Sequence, residues 1–342
     1  MYAGYPCAEL LPALAGRKEC KSLLTGVYQA VFDTQNLITM PIDTLGAKPA
    51  VTPDSNPGNP AYLKIRDLIY RISGIYHPEG KLYLLVSRCA RRMIALGVTN
   101  PAEYLEHLTT RGNRDAELRL LLNEITIGET YMFRHPAQLE ALRNVILPQI
   151  LDTKGFIGLK RLRFWCAGCS TGEEPHTLAM FLLEEKDKLL AGWTFDILAS
   201  DLNDNSLEAA RAGIYGEYAL RSTSEALRRK YFKEVGDKKL QANDLLKSQI
   251  RFERINLRDD TKMLFQKGMD VIFCCNVLIY FDLASKRRVV QHFHSNLVPG
   301  GYLMLGHAES LFQVDDSFRL VHFPGTTAYC KPAAALAGGG KK

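Results

Sequence analysis

The sequence contains no long apolar run, and nothing in it approaches the ~20 apolar residues that cross a bilayer. Its first residues, Met-Tyr-Ala-Gly, lack the basic start and apolar centre of a secretion signal. A strong charge of either sign is also missing, since 43 basic and 37 acidic residues leave a formal net charge of +6. So small an excess does not indicate a nucleic-acid partner. From these absences we expect a cytoplasmic protein without membrane insertion.

The eight cysteines form neither a disulfide framework nor a metal site. Most of them lie inside apolar stretches, which is typical of reduced and buried thiols. Cys166 and Cys169 form a Cys-x-x-Cys pair, but no second pair of comparable spacing follows that could complete a zinc site. We therefore expect both thiols to pack in the core, and we expect no metal.

The pattern along the chain predicts two domains, which 342 residues with 46% hydrophobic content can support. Residues 1–60 are predicted to be an N-terminal extension and linker, because their last part is crowded with Pro, Gly and Asn. Amphipathic helices over 61–125 predict a small all-helical domain. A connecting segment, 126–158, carries a further helix near 136–151. The tail, 333–342, is expected to be disordered.

Residues 159–332 alternate between apolar strand patterns and helical patterns, which predicts an α/β fold. The candidate strands are nearly all apolar, as parallel sheets covered on both faces require. A closing antiparallel hairpin is expected at 318–330, as in the class I methyltransferase sheet, and a small antiparallel insert of two short strands near 231–257. The main strands are expected at 162–167, 194–200, 250–256, 269–275 and 300–306, and the helices between them near 175–188, 204–213 and 284–297.

The most informative stretch is 163–174, where an apolar strand runs into a glycine turn and then into a helix predicted to start at Pro175. Gly168 and Gly172 remove side chains, so that the backbone can approach a ligand. Glu173 and Glu174 place negative charge at the helix N-terminus, which disfavours a pyrophosphate. A cationic, phosphate-free ligand with ribose hydroxyls fits better, and S-adenosylmethionine is such a ligand. The alternative is an ordinary tight connection between strand and helix.

Polar residues follow several of the predicted strands, and ligands of open α/β sheets bind beyond the carboxyl ends of strands. Asp201 ends the second strand and is placed to accept both hydroxyls of a ribose. Its alternative role is the N-cap of the helix that begins near Asp204. The other candidates at the strand ends are Gly168, Ser170 and Gly172 after the first strand, Asn256 and Leu257 after the third, and Asn276 after the fourth.

The helix near 81–96 has one apolar face and one basic face, in which Arg88, Arg91 and Arg92 have no acid among them. A solvated face is one interpretation. A docking surface for an acidic protein partner is the other.

Six motifs occur in order and together resemble the CheR-type chemotaxis receptor methyltransferases. The resemblance runs from about Tyr62 to Pro332 and includes the helical domain. The motifs are Ile127-Gly-Glu-Thr-Tyr-Met-Phe-Arg134, Ala167-Gly-Cys-Ser-Thr-Gly-Glu-Glu-Pro-His176, Ala199-Ser-Asp201, Ala212-Gly-Ile-Tyr215, Asn276-Val-Leu-Ile-Tyr-Phe-Asp282 and Leu305-Gly-His-Ala-Glu-Ser310.

The resemblance implies an S-adenosylmethionine-dependent methyltransferase that acts on glutamate side chains of methyl-accepting receptors and releases S-adenosylhomocysteine. Its helical domain, with the basic helix, would dock the receptor. The cofactor contacts of the family fall here on Thr130, Arg134, Glu174, Asp201, Asn256, Leu257 and Asn276.

Methyl transfer to a carboxylate needs no general base, because a glutamate with a pKa of ~4.3 is already ionised at neutral pH. Alignment in a dry pocket is what the site must supply. Arg134 could hold the carboxylate of the cofactor or orient the incoming glutamate, or form a structural salt bridge. Tyr280 could position the acceptor carboxylate or be a core aromatic. His307 and Glu309 belong to the last motif, and we assign them no chemical step.

Three positions depart from the family pattern. Many members have Asn-x-Thr where this chain has Gly128-Glu129-Thr130, and many have Arg where it has Cys275. In enzymes that grip a C-terminal receptor pentapeptide, the loop of the insert carries extra glycines. The loop from Glu234 to Lys239 is tighter here, so the chain resembles the pentapeptide-independent type. We also expect the protein to be a monomer.

Two other functions remain open at this point. One is a non-catalytic signalling module that senses S-adenosylmethionine through a methyltransferase-like domain. The other is a small-molecule methyltransferase, in which the helical domain would be a lid.

Overall fold

The computed structural model describes residues 52–110, 112 and 114–333. The predictions for the extension before residue 52 and for the tail after residue 333 lie outside the described part. No helix within it is both long and apolar enough to cross a membrane.

Four helices form the N-terminal domain: α1 (Pro60–Ser73), α2 (Leu82–Leu96), α3 (Pro101–Thr109) and α4 (Arg114–Ile125). Asn59 and Asn100 cap α1 and α3, each accepting a backbone N–H with its side chain, and a proline follows each of them at the first helical turn. α1 and α2 end at Gly74 and Gly97, both in the left-handed conformation that glycine adopts most easily. The apolar faces of these helices meet in a separate core around Tyr62, whose ring is fully buried.

The connecting segment contains one continuous helical run, α5 (Pro136–Ala141), a π-helical turn (Leu142–Ile146) and α6 (Leu147–Phe156). Pro148 lies two residues after the π turn and cannot donate the backbone hydrogen bond that a regular α-helix needs there.

The main sheet has seven strands: β1 (Arg161–Ala167), β2 (Thr194–Asp201), β6 (Ile250–Arg254), β7 (Met269–Cys274), β8 (Leu297–Leu305), β9 (Arg319–Phe323) and β10 (Thr326–Cys330). Their order is β6-β2-β1-β7-β8-β10-β9. The first five strands are parallel, and β10 pairs antiparallel with both β8 and β9. This is the expected α/β sheet with a closing hairpin.

The remaining helices of this domain are α7 (Glu173–Glu185), α8 (Asp204–Ala212), α9 (Glu217–Leu220), α10 (Glu225–Tyr231), α11 (Asp244–Lys247), α12 (Asp260–Leu264) and α13 (Leu283–Asn296). Neighbouring residues of β1 point to opposite faces, so that Phe164 and Cys166 enter one core and Trp165 enters the other. Both Cys166 and Cys169 are buried free thiols, as predicted.

The small insert differs from the prediction. It has three antiparallel strands, β3 (Ile214–Tyr215), β4 (Phe232–Glu234) and β5 (Leu240–Ala242), in the order β3-β5-β4. The predicted range of 231–257 was therefore wrong at both ends, because β3 precedes it and residues 250–254 belong to the main sheet as β6. A strand of two residues is too short to show an alternating pattern.

Candidate active site

The chain leaves β1 towards β2 and β6 on one side and later enters β7 and β8 on the other. The point where the strand order reverses therefore lies between β1 and β7, where ligands of such sheets bind. A cavity that is partly open to solvent lies there. Its lining comes from the connecting segment, the first turns of α7 and the end of β7, and includes Thr130, Tyr131, Phe133, Arg134, His135, Gln138, Leu139, Glu174, Thr177, Leu178, Phe273 and Cys275.

The loop after β1 is held close to the sheet. The backbone N–H groups of Gly168 and Cys169 both donate to the carbonyl oxygen of Ser200, at 2.8 and 2.9 Å. Ser170 takes a left-handed conformation with φ 49°, which is rare outside glycine. Gly172 has φ 93°, and a Cβ at that position would lie 2.8 Å from the Cβ of Ala210. α7 begins at Glu173, two residues before the predicted start, so both acids lie in its first turn.

Asp201 holds this loop from the end of β2. One carboxylate oxygen accepts the N–H of Ser170 at 2.8 Å, and the other accepts the N–H of Asn203 at 2.9 Å. The N-cap of α8 is Asn203 and not Asp201, because the Asn203 side chain accepts the N–H of Ser206. Each Asp201 oxygen keeps a free lone pair for a ligand hydroxyl. Burial raises the pKa of Asp201, and its backbone hydrogen bonds oppose that rise.

Glu174 contributes its carboxylate to the wall of the cavity. Burial raises the pKa of this carboxyl to about 7, while Arg134 across the cavity acts in the opposite direction. A bound cation would replace the water that burial removes and would restore the ionised form.

The loop after β7 contains Asn276, which is left-handed with φ 62°. Its backbone N–H donates to Glu309 at 2.7 Å, and the same oxygen of Glu309 accepts the N–H of Gly306 at 2.8 Å. The other oxygen accepts the N–H of Ile279 at 3.3 Å. This role of Glu309 was missed, although the last motif contains the residue.

The segment that carries Thr130 and Arg134 is tied to α9. Arg134 donates to the carbonyl oxygen of Glu129 at 2.7 Å, which closes a turn over these residues. The Arg221 guanidinium lies 3.4 Å from the ring centre of Tyr131 and 3.8 Å from that of Tyr218. Two cation–π contacts thus hold one wall of the cavity.

Asn256 and Leu257 do not line this cavity. The side chain of Asn256 donates to the carbonyl oxygen of Ile72 in the helical domain at 2.7 Å and accepts the N–H of Arg258 at 3.0 Å. Leu257 is buried. The Asn256 amide therefore links the two domains.

Tyr280 is half-buried in a 3-10 turn after β7, and its carbonyl oxygen accepts the N–H of Tyr76 at 2.9 Å. Burial raises the pKa of the Tyr280 hydroxyl, and nearby Arg134 opposes this rise. The hydroxyl therefore stays protonated at neutral pH and can donate a hydrogen bond.

The three arginines of α2 differ in their surroundings. Arg92 is largely buried and forms two hydrogen bonds with the Glu117 carboxylate, at 3.0 and 2.8 Å. Tyr104 donates to the same carboxylate. The prediction that Arg92 belongs to a docking surface therefore needs correction, since its charge is neutralised inside the helical domain. Arg91 is exposed and has a long contact of 3.4 Å with Glu124, and Arg88 is half-buried.

Several buried polar atoms near the strand ends have no hydrogen-bond partner in the described part of the chain. They are Ser170 Oγ, Asn276 Oδ1 and both ring nitrogens of His135, and the side chains of Asn276 and His135 lie next to one another. Buried polar atoms are normally paired, so these are suited to a ligand that supplies donors and acceptors. With the carboxylates of Glu174 and Asp201 nearby, the arrangement fits a cationic ligand that carries hydroxyls. S-adenosylmethionine has these features.

His135, Gln138, Thr177 and Cys275 also line the cavity but were not predicted as site residues. No motif of the sequence identifies Gln138 or Thr177, since both lie in helices whose patterns reflect packing. His135 directly follows Arg134, the last residue of the first motif, and this position could have indicated it.

Comparison with known proteins identifies both domains. Residues 60–126 match the family described as CheR methyltransferase, all-alpha domain, and residues 128–326 match CheR methyltransferase, SAM binding domain. A chemotaxis protein methyltransferase 2 of Vibrio cholerae is 33% identical over 271 residues, which cover 79% of this chain and 92% of the relative.

Two further relatives agree. A chemotaxis protein methyltransferase of Borreliella burgdorferi is 34% identical, over 71% of this chain and 86% of the relative. A probable chemotaxis protein methyltransferase of Rhizobium etli is 36% identical, over 71% of this chain and 89% of the relative. Because the two models match consecutive parts of the chain in the order seen in the fold, the protein belongs to the CheR methyltransferase family.

Proposed function

We propose that this protein transfers the methyl group of S-adenosylmethionine to glutamate side chains of chemoreceptor-type signalling proteins, which yields glutamate methyl esters and S-adenosylhomocysteine. The observation that carries the proposal is the set of polar groups at the switch point. The cavity there is lined by Thr130, Arg134 and Glu174, and the loops at the neighbouring strand ends carry the Asp201 carboxylate and the unpartnered oxygens of Ser170 and Asn276. The match of both domains to CheR methyltransferases supports the same reaction.

When bound, S-adenosylmethionine supplies a methyl group on a positively charged sulfur. The residues of the chain then have to bind the cofactor, orient it and exclude water from the site. Asp201 offers two acceptor positions for ribose hydroxyls, and Glu174 provides negative charge in the cavity wall. Thr130 and the unpartnered atoms of Ser170 and Asn276 complete the polar contacts.

The acceptor glutamate is ionised at neutral pH, so no residue has to remove a proton from it. Arg134 uses one N–H on Glu129 and keeps further N–H groups for a carboxylate. The protonated hydroxyl of Tyr280 can donate to the same carboxylate. Alignment of this kind lowers the barrier by several kcal/mol, and ~7–11 kcal/mol is the upper range for well-oriented groups.

The helical domain is proposed to dock the receptor through α2. Arg88 and Arg91 remain available for an acidic surface, whereas Arg92 is bonded to Glu117. Contacts at the rim of an interface act mainly on encounter and are screened by salt. Replacing Arg88 and Arg91 by Glu should therefore lower receptor methylation several-fold and leave the affinity for S-adenosylhomocysteine unchanged.

We further propose that the enzyme does not depend on a receptor pentapeptide. The loop between β4 and β5 is a tight hairpin, in which Val235 donates its N–H to the carbonyl oxygen of Lys239 at 3.1 Å. A tight loop presents few groups to an added peptide. We also propose that the protein acts in the cytoplasm as a monomer, without a nucleic-acid partner; the free thiols in the described part are consistent with a reducing compartment.

The reaction can be tested by incubating the full-length protein with methyl-labelled S-adenosylmethionine and receptor membranes. Base-labile label on the receptor is expected, and none with the Asp201→Ala variant. Binding of the cofactor without turnover would favour the sensing module instead. Transfer of the label to a small molecule would favour the small-molecule methyltransferase, if replacing Arg88 and Arg91 by Glu does not change its rate.

A further inference from the structure

Glu309 lies in the loop after β8 and makes three hydrogen bonds to backbone N–H groups of two different loops. One oxygen accepts from Asn276 at 2.7 Å and from Gly306 at 2.8 Å, and the other accepts from Ile279 at 3.3 Å. The carboxylate therefore links the end of β8 to both ends of the short turn after β7. No other side chain is bonded to these three N–H groups within the described residues.

The turn that Glu309 holds is unusual in its backbone. Asn276 is left-handed, with φ 62°, a conformation that is uncommon outside glycine, although asparagine adopts it more readily than most residues. Gly306 packs so closely on Asn276 that a Cβ on Gly306 would lie 2.9 Å from the Asn276 backbone nitrogen. The buried carboxamide oxygen of Asn276 makes no hydrogen bond of regular geometry in the described structure, and the ring of His135 is the neighbouring polar side chain.

We propose that Glu309 is a positioning residue of the methyl-transfer site, which fixes the turn after β7 so that the Asn276 side chain stays directed at S-adenosylmethionine. This inference rests on the proposed function, because it assigns the free carboxamide to a cofactor contact. Glu309 acts through Asn276 and does not itself need to touch the ligand.

Two substitutions of Glu309 distinguish a positioning role of its side chain from an effect of its charge. The oxygen that accepts from both Asn276 and Gly306 has the same place in a glutamine, so Glu309→Gln keeps the main contacts without the charge. Glu309→Asp keeps the charge, but its shorter side chain cannot reach both loops. Positioning thus predicts that Gln is tolerated and Asp is not. A direct charge effect on a cationic cofactor predicts the reverse.

The experiment is calorimetric titration of S-adenosylmethionine into the full-length protein, with S-adenosylhomocysteine as the ligand that lacks the sulfonium charge, together with thermal unfolding of each variant. Glu309→Gln should bind within about threefold of the wild type, and Glu309→Asp should bind about tenfold more weakly. Adding Glu309→Asp to Asn276→Ala should cost little more affinity than Asn276→Ala alone, because coupled residues are not additive.

Asp270, in β7, offers a matched control for the loss of a buried carboxylate. Its buried carboxylate accepts the N–H of Arg163 at 2.8 Å and pairs with Lys154 at 2.6 Å, at the opposite end of β7 from Asn276. Asp270→Asn should lower the unfolding temperature and leave the affinity for S-adenosylhomocysteine unchanged.

Three results would overturn the inference: Asp tolerated and Gln not, additive losses in the double variant, or unchanged affinity in Glu309→Asp. Loss of affinity in Asp270→Asn equal to that in Glu309→Asp would also overturn it, since general loosening would then explain both. If the wild type binds no S-adenosylhomocysteine, the proposed function fails first. If it binds and every Glu309 variant binds equally, only this inference fails.

Discussion

The loops after β1 and β7 hold their shape by the same means, although their sequences differ. In each loop a residue other than glycine is left-handed, Ser170 with φ 49° and Asn276 with φ 62°. In each, the backbone N–H of that residue donates to a carboxylate from the neighbouring strand, Asp201 after β2 and Glu309 after β8. In each, the side chain of the left-handed residue has a buried oxygen without a partner in the described structure.

The two carboxylates differ in the number of oxygen lone pairs that remain for a ligand. Asp201 accepts one backbone N–H on each oxygen, so both oxygens keep a lone pair. Glu309 accepts two N–H groups on one oxygen and a third on the other. The comparison teaches that similar carboxylates at one sheet edge can have different tasks, one at the ligand and one at the backbone.

The largest effect is expected for Asp201→Ala. This change removes the ribose acceptor and leaves the N–H groups of Ser170 and Asn203 without their partner. We expect the affinity for S-adenosylhomocysteine to fall about a hundredfold, or ~3 kcal/mol, more than for any Glu309 variant. Calorimetric titration measures it. Asp204→Ala is the control, because Asp204 forms partly exposed ion pairs with Arg119 and Arg254 and should change little. Equal losses in both variants would contradict the assignment of the ribose.

Gly168→Ala tests whether the two loops depend on one another. A Cβ on Gly168 would collide with the side chain of Val277 in the second loop, and φ at Gly168 is 81°. The free energy of unfolding should fall by at least ~2 kcal/mol, as measured by urea denaturation. Adding Val277→Ala should recover the part that comes from the collision. Gly80→Ala is the control, since a Cβ there meets nothing within 4 Å. A Gly168→Ala protein as stable as the wild type would show that the loops are independent.

Glu174 lies in the first turn of the helix after the β1 loop and predicts a pH dependence of binding. Burial raises its pKa to about 7, and a bound cation favours the ionised form. Cofactor affinity should therefore rise as the pH increases towards 7, by at most about tenfold per pH unit, and become constant above it. Titrations of S-adenosylmethionine on both sides of neutrality measure this, and Glu174→Gln should flatten the profile. A profile of the variant that matches the wild type would assign the titration to another group.

The smallest effect is expected for Arg221→Ala, which loosens the wall facing both loops. Arg221 stacks between Tyr131 and Tyr218 on the surface, and such contacts are worth ~0.5–1 kcal/mol each. The affinity for S-adenosylhomocysteine should fall about three- to fivefold, because Thr130 and Arg134 are less well ordered. Arg229→Ala, which removes only an exposed ion pair with Glu225, is the control for calorimetry. Equal affinities in the two variants would remove Arg221 from the site.

Much of the fold could be predicted because helices and strands differ in the period of their apolar residues. The helices of the first domain lie within the predicted range of 61–125 to within a residue, and the strands β1, β2 and β7 lie within a few residues of the predicted bounds. The insert was predicted incompletely, since β3 has two residues and no period. In the site, Asp201 was predictable from its place at the end of β2. Arg92 was misassigned because its partner, Glu117, lies on a different helix.

The sequence by itself determined the order of the elements, the family motifs and the polar residues at the strand ends, because these are local properties of neighbouring residues. Only the tertiary structure decided which of these side chains face a ligand and which hold the backbone. Their hydrogen-bond partners lie 31 residues away for Asp201 and Ser170, and 33 for Glu309 and Asn276. Partners so distant in the chain come into contact only when strands from different parts of it align at one edge of the sheet. Such contacts cannot be predicted from the local pattern of the sequence.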